Sequence, residues 1–230
     1  MHMEPTALVF DLDGTLVDSL PDLRAALNEM LREVGRRELS PSEVRSMIGD
    51  GTHALVPRAL RATGEVIDRS LILENAHERF LNFYEAVPTK LSRLYPGVAK
   101  TLESLVESGT HLAVCTNKQQ RATLAVLEGF GIAQYFEAIV GGDCVPFHKP
   151  DPRHLLAAIE QLHVDPNEAI MVGDNENDYA AARGAGSRVV LMRYGYLRVP
   201  AESLNPDAWL SDFSEIPNTL AKFAIHQQQH

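Results

Sequence analysis

Early in the chain stands the stretch Ala7-Leu8-Val9-Phe10-Asp11-Leu12-Asp13-Gly14-Thr15, in which an apolar run is followed by two carboxylates. The apolar run is typical of a buried strand, and Gly14 indicates a loop directly after it. Two carboxylates so close together at the end of a buried strand repel each other, and they need a cation or good hydrogen bonds. The stretch therefore predicts a strand that ends in a charged site, with one carboxylate as nucleophile and metal ligand and the other as general acid/base. A loop that caps the next helix is the structural alternative.

From Tyr95 onwards, short apolar runs alternate with segments of helical periodicity. This alternation indicates an α/β fold, a Rossmann-like parallel sheet with helices on both faces. The strand at residues 7–10 must join this sheet, because its edges would otherwise be unpaired. The predicted strands are 111–115, 138–140, 169–172, 189–191 and 208–210, and the predicted helices are one after Pro96-Gly97 and those at 118–130, 152–162, 178–185 and 216–225.

The stretch between Asp18 and Arg93 shows only helical patterns. Leu23, Ala26, Leu27 and Met30 begin an amphipathic spacing of three and four residues. Further helices are predicted over 42–48, 52–62 and 66–87, and no segment there has convincing strand character. We therefore predict a small α-helical cap domain at residues 18–92, inserted after the first strand into a core formed by residues 1–17 and 93–230.

Two further polar clusters lie at the ends of predicted elements, one after the strand at 111–115 and one in the loop before the helix at 152–162. In Thr116-Asn117-Lys118, a hydroxyl and free backbone N–H groups at a helix N-terminus predict an anion site, with a helix N-cap at Thr116 as the alternative. Lys149, held by Pro150, can neutralise a phosphate and a carboxylate together, although a single lysine is more often solvated at the surface. Because the carboxyl ends of parallel strands share one edge of a sheet, we expect both clusters near Asp11.

The last polar cluster is Gly173-Asp174-Asn175-Glu176-Asn177-Asp178, directly after the predicted strand at 169–172. Asp174 should point toward the same site as Asp11, and two carboxylates converging from different strands suggest a divalent cation. Hard oxygen ligands with open positions suit Mg²⁺. Asn175 can cap the next helix, and Asp178 can bind Lys149 or the loop.

In four successive motifs the chain resembles the haloacid dehalogenase superfamily of phosphohydrolases: Asp11-x-Asp13-Gly14-Thr15, Thr116, Lys149-Pro150 and Gly173-Asp174-x-x-x-Asp178. The helical insertion is similar to the small α-helical cap of that family. Residues 11–19 and the run Ala181-Ala182-x-x-Ala185-Gly186 resemble its phosphoglycolate phosphatase branch. So does Ile48-Gly49-Asp50-Gly51, although that branch more often has Asn at the position of Asp50.

The resemblance implies a mechanism. Asp11 attacks phosphorus and forms an aspartyl-phosphate, and Asp13 protonates the leaving alcohol and then deprotonates the hydrolytic water. Mg²⁺ is held by the Asp11 carboxylate, the Asp13 backbone carbonyl and Asp174. The phosphate is bound by Thr116, Asn117 and Lys149, with Asp178 and Asn175 in support. The cap closes over the site, and Gly49, Asp50 and Gly51 form the candidate loop that reaches in, unless they are a simple turn between helices.

We therefore expect a Mg²⁺-dependent phosphomonoester hydrolase acting on a small phosphorylated metabolite, with 2-phosphoglycolate as the first candidate. The alternatives within the family are a sugar-phosphate phosphatase, a mutase similar to β-phosphoglucomutase, and a pyrophosphatase. The alternative from another class is a non-enzymatic phospho-receiver switch. Asp13 and the large helical insertion argue against that switch.

Composition and charge narrow the choice of partner and compartment. The formal net charge of −10 argues against a nucleic-acid surface. No apolar run approaches the ~20 residues of a membrane span. The two cysteines among 230 residues form neither a metal pair nor a disulfide framework, which fits a reducing cytoplasm. We expect a cytoplasmic monomer or homodimer whose partner is a small-molecule phosphate ester.

Overall fold

A parallel β-sheet forms the centre of the molecule. The structure, a computed structural model, describes residues 7–64, 70–86 and 89–227. The strands of this part of the chain are β1 (Ala7–Phe10), β2 (Val17–Asp18), β3 (Arg93–Leu94), β4 (His111–Cys115), β5 (Ala138–Val140), β6 (Ala169–Gly173), β7 (Arg188–Met192) and β8 (Ala208–Leu210). Six of them pair in the order β5–β4–β1–β6–β7–β8, and every pairing in this sheet is parallel. The predicted α/β class with a parallel sheet is confirmed.

Strand β1 lies between β4 and β6, and all of its residues are buried. Its last residue, Phe10, is level with Val114 of β4 and with Val172 of β6. Since these three neighbouring strands run in the same direction and end at nearly the same level, the residues that follow them meet at one edge of the sheet.

Helices cover both faces of the sheet. Those of the described residues are α1 (Leu20–Glu33), α2 (Pro41–Arg45), α3 (Thr52–Thr63), α4 (Ser70–Ala86), α5 (Val98–Glu107), α6 (Gln120–Gly129), α7 (Pro152–Gln161), α8 (Glu176–Ala185) and α9 (Ile216–Gln227). Successive side chains of β1 point to opposite faces. Leu8 and Phe10 pack into the core that includes α5, α6 and α9, whereas Ala7 and Val9 pack into the core that includes α7 and α8. Burial on both faces explains why the strands are continuous apolar runs.

Helices α1–α4, hereafter the helical segment, lie between β2 and β3 and pack around a second hydrophobic core, which also includes Ala122 of α6 and Tyr196. Leu27, Val56 and Phe80 are fully buried in it. The antiparallel pair β2–β3, in which Val17 is opposite Leu94, brings the two ends of the segment together. The sequence pattern predicted neither strand, because two residues are too few to show a period. The division into a cap at 18–92 and a core stays a prediction.

The ends of some helices differ from the predicted ones. Helix α2 ends at Arg45 and not at residue 48, and the chain then turns toward Gly49, whose φ of +124° is not helical. Helix α6 begins at Gln120, two residues later than predicted. The predicted helix at 66–87 begins and ends outside the described residues, and α4 is described from Ser70 to Ala86. Among the helices that the structure describes, none has both the length and the hydropathy to cross a membrane.

Helix α7 carries a buried histidine. Asp151 caps the helix by accepting a hydrogen bond from the backbone N–H of Arg153 at 3.0 Å. His154, in the first turn, is fully buried. Burial, together with the nearby charge of Lys149, lowers the pKa of His154 from 6.5 to about 4. The folded protein therefore holds this ring neutral at neutral pH.

Acid should destabilise the protein through His154. Because the pKa of this group is lower in the folded state, its stabilising contribution is complete above pH 6.5 and is lost as the pH falls toward about 4. Between about pH 7.5 and pH 5, the free energy of unfolding of His154→Gln should therefore fall by roughly 2 kcal/mol less than that of the wild type. Urea unfolding at both pH values measures the difference, and an equal fall in the two proteins would contradict the expectation.

Candidate active site

Four sequence motifs meet where β1, β4 and β6 end. Asp11 follows β1, Thr116 follows β4 and Asp174 follows β6, and all three side chains are buried. Lys149, in the loop after β5, places its Nζ 3.1 Å from Asp11 Oδ1 and 2.7 Å from Asp178 Oδ1. The structure thus brings together side chains that are far apart in the sequence. It also confirms the predicted contact between Asp178 and Lys149.

Three carboxylates form the charged centre of this site, which we call the acid cluster: Asp11, Asp174 and Asp178. Each offers one oxygen, and these oxygens lie within 4.8 Å of one another. Burial raises the pKa of Asp11 to about 6, against the attraction of Lys149. Burial and the charge of Asp178 likewise raise the pKa of Asp174 well above its usual value. One lysine does not balance three buried carboxylates, so the acid cluster fits a hard divalent cation.

Asp178 has most of its hydrogen-bonding capacity in use. Its Oδ1 accepts from Lys149, and its Oδ2 accepts from the backbone N–H groups of Asp174 (3.0 Å) and Asn175 (3.3 Å). Asn175 is the N-cap of α8 and accepts the backbone N–H of Asn177 at 2.9 Å. These contacts hold the turn that carries Asp174. That Asp11 and Asp174 hold the cation, with Asp178 and Asn175 in support, stays a prediction.

Two close hydrogen-bond donors hold the Asp174 carboxylate. The Thr15 hydroxyl donates to its Oδ1 at 3.0 Å, and the backbone N–H of Tyr196 donates to its Oδ2 at 2.5 Å. Gly14 approaches closely with a φ of +94°, and a Cβ at this position would overlap the Asp174 carboxylate. Glycine is thus required both by the backbone conformation and by the contact. No sequence pattern had indicated the contribution of Tyr196.

Asp13 lies outside the acid cluster, and its carboxylate is bound by a lysine that was not among the predicted site residues. Lys118 Nζ lies 2.9 Å and 3.1 Å from the two Asp13 oxygens. The Lys118 side chain is buried, with Nζ 4.5 Å from the centre of the Tyr84 ring of α4. Although burial opposes its charge, the Asp13 carboxylate raises the pKa of Lys118 above its usual value. The sequence shows Lys118 next to Asn117, but no local sequence pattern distinguishes a buried lysine from a solvated one.

Thr116 and Asn117 do not cap a helix. Since α6 begins at Gln120, Thr116 is not at its N-cap, and Thr116 instead lines the cleft described below. The Asn117 side-chain amide donates to the backbone carbonyls of Lys149 (2.8 Å) and Gly49 (3.0 Å). Its Oδ1 accepts the backbone N–H of Lys149 at 2.9 Å. Because this amide is engaged with two loops, we expect any phosphate contact of Asn117 from its backbone N–H.

The loop of Gly49, Asp50 and Gly51 contacts the same edge of the sheet. Besides Asn117, Asn177 donates to the Gly49 carbonyl, at 3.2 Å. Gly51 has a φ of +77°, and a Cβ there would lie only 2.8 Å from the Asn117 carbonyl oxygen. The loop is therefore more than a turn between helices, while its part in catalysis stays a prediction.

A narrow cleft lies at this meeting of the loop and the sheet edge. Asp11, Asp13 and Lys118 line it with charged groups, whereas the helical segment contributes mainly apolar side chains, among them Leu23 and Leu55. The cleft thus combines a polar wall from the sheet edge with a largely apolar wall from the helical segment.

Comparisons with known proteins agree with this fold. The family profile of haloacid dehalogenase-like hydrolases matches residues 8–192. A phosphoglycolate phosphatase from Cereibacter sphaeroides is 43% identical over 213 residues, which are 93% of this chain and 96% of that protein. One from Rhodospirillum rubrum is 42% identical over 219 residues, 94% of this chain and 91% of that protein. The crystal structure of a predicted phosphoglycolate phosphatase from Haemophilus somnus superposes with a TM-score of 0.89 at 34% identity and covers 94% of this chain and 99% of that one.

If the acid cluster holds a cation, Mg²⁺ should stabilise the protein. We expect the thermal midpoint of the wild type to rise with MgCl₂ at neutral pH, and the affinity for Mg²⁺ to fall at least about tenfold in Asp174→Asn, because a charged ligand is lost. Titration calorimetry and thermal unfolding measure both effects. Asp207→Asn is the matched control, since Asp207 pairs with Arg183 outside the cleft. Equal Mg²⁺ affinity in Asp174→Asn and the wild type would contradict the assignment.

Proposed function

The chain belongs to the haloacid dehalogenase-like hydrolase family, and we propose that it hydrolyses 2-phosphoglycolate through an aspartyl-phosphate, with Mg²⁺ as cofactor. It is a phosphoric monoester hydrolase, as its relatives are, so a non-enzymatic phospho-receiver is not favoured. The observation that carries the proposal is the meeting of Asp11, Asp174 and Lys149, next to a cleft that Asp11 and Asp13 line. A nucleophile, a cation site, a fixed positive charge and an acid/base are the parts that phosphoryl transfer needs.

Asp11 is the proposed nucleophile. The backbone N–H of Leu12 donates to Asp11 Oδ1 at 2.7 Å, and Lys149 Nζ lies 3.1 Å from the same oxygen. We assign the attack on phosphorus to Oδ2, since the contacts that orient the carboxylate fall on Oδ1. The new O–P bond forms as the ester oxygen leaves, and Lys149 and Thr116 bind the phosphoryl oxygens, whose charge needs fixed donors.

Asp13 is the proposed general acid and base. It gives a proton to the leaving alcohol and then takes one from the water that attacks the aspartyl-phosphate, which releases phosphate and restores Asp11. The carboxylates of Asp11 and Asp174 and the backbone carbonyl of Asp13 would hold Mg²⁺, which screens the negative charge of the phosphate from the nucleophile.

The leaving group is proposed from the contacts around Lys118. This lysine is the cationic side chain among the described residues that line the cleft, and it binds the proposed acid Asp13 at 2.9 Å. A carboxylate on the leaving alcohol, as in glycolate, would find its charge-assisted partner there. A sugar would leave several hydroxyl groups unpaired against Leu23 and Leu55. A pyrophosphate would place a second phosphate beside one cation, so both alternatives fit less well.

Removing the nucleophile should abolish turnover. In Asp11→Asn we expect the kcat for 2-phosphoglycolate to fall at least about 10³-fold, and in Asp13→Asn we expect only slow turnover, because a neutral amide neither attacks phosphorus nor transfers the proton. EDTA should suppress wild-type activity, and added Mg²⁺ should restore it. Phosphate release measures all three, with thermal unfolding to show that the variants fold. Turnover that survives Asp11→Asn would refute the nucleophile assignment.

Replacing Lys118 should separate carboxylate recognition from acid/base chemistry. In Lys118→Met we expect kcat/KM for 2-phosphoglycolate to fall about 100-fold more than for 2-hydroxyethyl phosphate, which lacks the carboxylate, since a charge-assisted contact is worth ~2–3 kcal/mol. An equal loss for both esters would mean that Lys118 only orients Asp13. A screen of hexose phosphates and pyrophosphate completes the test, and formation of a sugar-phosphate isomer would favour the mutase alternative.

A further inference from the structure

Asp50 is bound by side chains from three parts of the fold. Asn177 of α8 donates to its Oδ1 at 2.6 Å, and Arg58 of α3 lies 2.5 Å from its Oδ2. Arg198, in the segment after β7, donates to both oxygens. Only 25% of the Asp50 side chain and 17% of the Arg198 side chain are exposed. An ion pair shielded to this degree is screened less than a surface pair, and the loss of one partner costs more.

Arg198 is itself fixed to the sheet edge. Its Nε donates to Glu176 Oε1 at 2.6 Å, and its backbone N–H donates to Glu176 Oε2 at 3.3 Å. Glu176 is the first residue of α8, the helix whose N-terminal turn supports the acid cluster. Two residues before Arg198, the backbone N–H of Tyr196 binds Asp174. The guanidinium that reaches Asp50 is therefore fixed to the edge of the sheet that carries the acid cluster.

Few other contacts hold the loop of residues 49–51 in place. Gly49 and Gly51 line the cleft and have no side chains with which to pack, whereas Asp50 does not line it. Apart from the Gly49 carbonyl, which accepts from Asn117 and Asn177, the polar contacts of the loop with the sheet edge run through the Asp50 carboxylate. The position of the two glycines over the cleft thus depends on the contacts of the Gly49 carbonyl and on where Asp50 is held.

We propose that Arg198 is a positioning residue, which holds Asp50 and so fastens the loop of residues 49–51 over the cleft. Arg198 binds neither the acid cluster nor Asp13 directly, and we expect it to affect substrate binding through the loop. The inference rests on the proposed function to the extent that the loop closes over a phosphate ester. Without Arg198, Asp50 keeps Arg58, which belongs to the same helical segment, and Asn177 as its single remaining partner at the sheet edge.

Hydrogen exchange of the protein without substrate is the first test. In Arg198→Ala we expect amides within residues 47–54 to exchange about tenfold faster, and amides of β1, β4 and β6 to keep their wild-type rates. Arg198→Lys keeps the charge and should recover part of the protection. Arg183→Ala is the matched control, because it removes another arginine paired with an aspartate, at 2.8 Å, away from the loop. This experiment needs no substrate, so an error in the proposed substrate leaves it valid.

Kinetics with 2-phosphoglycolate, and with para-nitrophenyl phosphate as a generic ester, form the second test. Because substrate binding must then also close the loop, Arg198→Ala should raise KM about tenfold and leave kcat within about threefold of the wild type. A purely structural role would lower kcat and the thermal midpoint and leave KM unchanged. Asp50→Asn should give the same pattern, and the double variant should be little worse than either single one.

The outcomes decide the proposal. Faster exchange confined to the loop, a raised KM and non-additive effects of Asp50→Asn and Arg198→Ala would support it. Unchanged exchange at residues 47–54, faster exchange throughout the protein, or additive effects would overturn it. If neither ester is hydrolysed by the wild type, the proposed function fails, and the exchange data alone decide the role of Arg198.

Discussion

The concentration of negative charge at one edge of the sheet is the constraint on which the rest of the structure depends. Asp11, Asp174 and Asp178 are buried with oxygens within 4.8 Å of one another. Isolated charges in such a place are very costly, so each carboxylate needs fixed donors or a cation. Lys149 binds Asp11 and Asp178, the backbone N–H groups of Asp174 and Asn175 also donate to Asp178, and the backbone N–H of Tyr196 donates to Asp174. Because these donors come from separate elements, the sheet order and the site depend on each other.

Two aspartates that are two residues apart have different surroundings. Asp11 lies in the acid cluster, where burial raises its pKa to about 6, while Asp13 faces the cleft and pairs with Lys118. Neighbouring carboxylates in unlike environments can take unlike tasks, which is how one short motif can supply both a nucleophile and an acid/base. The lysine beside Asp13 also brings the helical segment into the site, through its contact with the Tyr84 ring.

The segment after β7 connects parts of the molecule that must lie close together for the proposed reaction. The Tyr194 hydroxyl donates to the Thr15 carbonyl at 2.8 Å. The Tyr196 hydroxyl donates to Asp18 at 2.8 Å; Asp18 lies in β2, which with β3 forms the two-stranded ribbon that leads to the helical segment. The Tyr196 backbone holds Asp174, and Arg198 holds Asp50. A shift of the loop or of the ribbon would therefore be felt at the acid cluster, because packed and hydrogen-bonded elements move as units.

The amino-acid sequence alone determined the α/β class, the parallel sheet and the meeting of Asp11, Thr116, Lys149 and Asp174, because strand and helix periods are local and parallel strands end at a common edge. Tertiary structure decided the pairing of Lys118 with Asp13, the use of the Asn117 amide to hold two loops, the β2–β3 ribbon and the reach of Arg198 to Asp50. These contacts join residues up to 148 positions apart. Which polar side chain is buried against which partner depends on the packing of whole elements, and short-range periodicity carries no information about it.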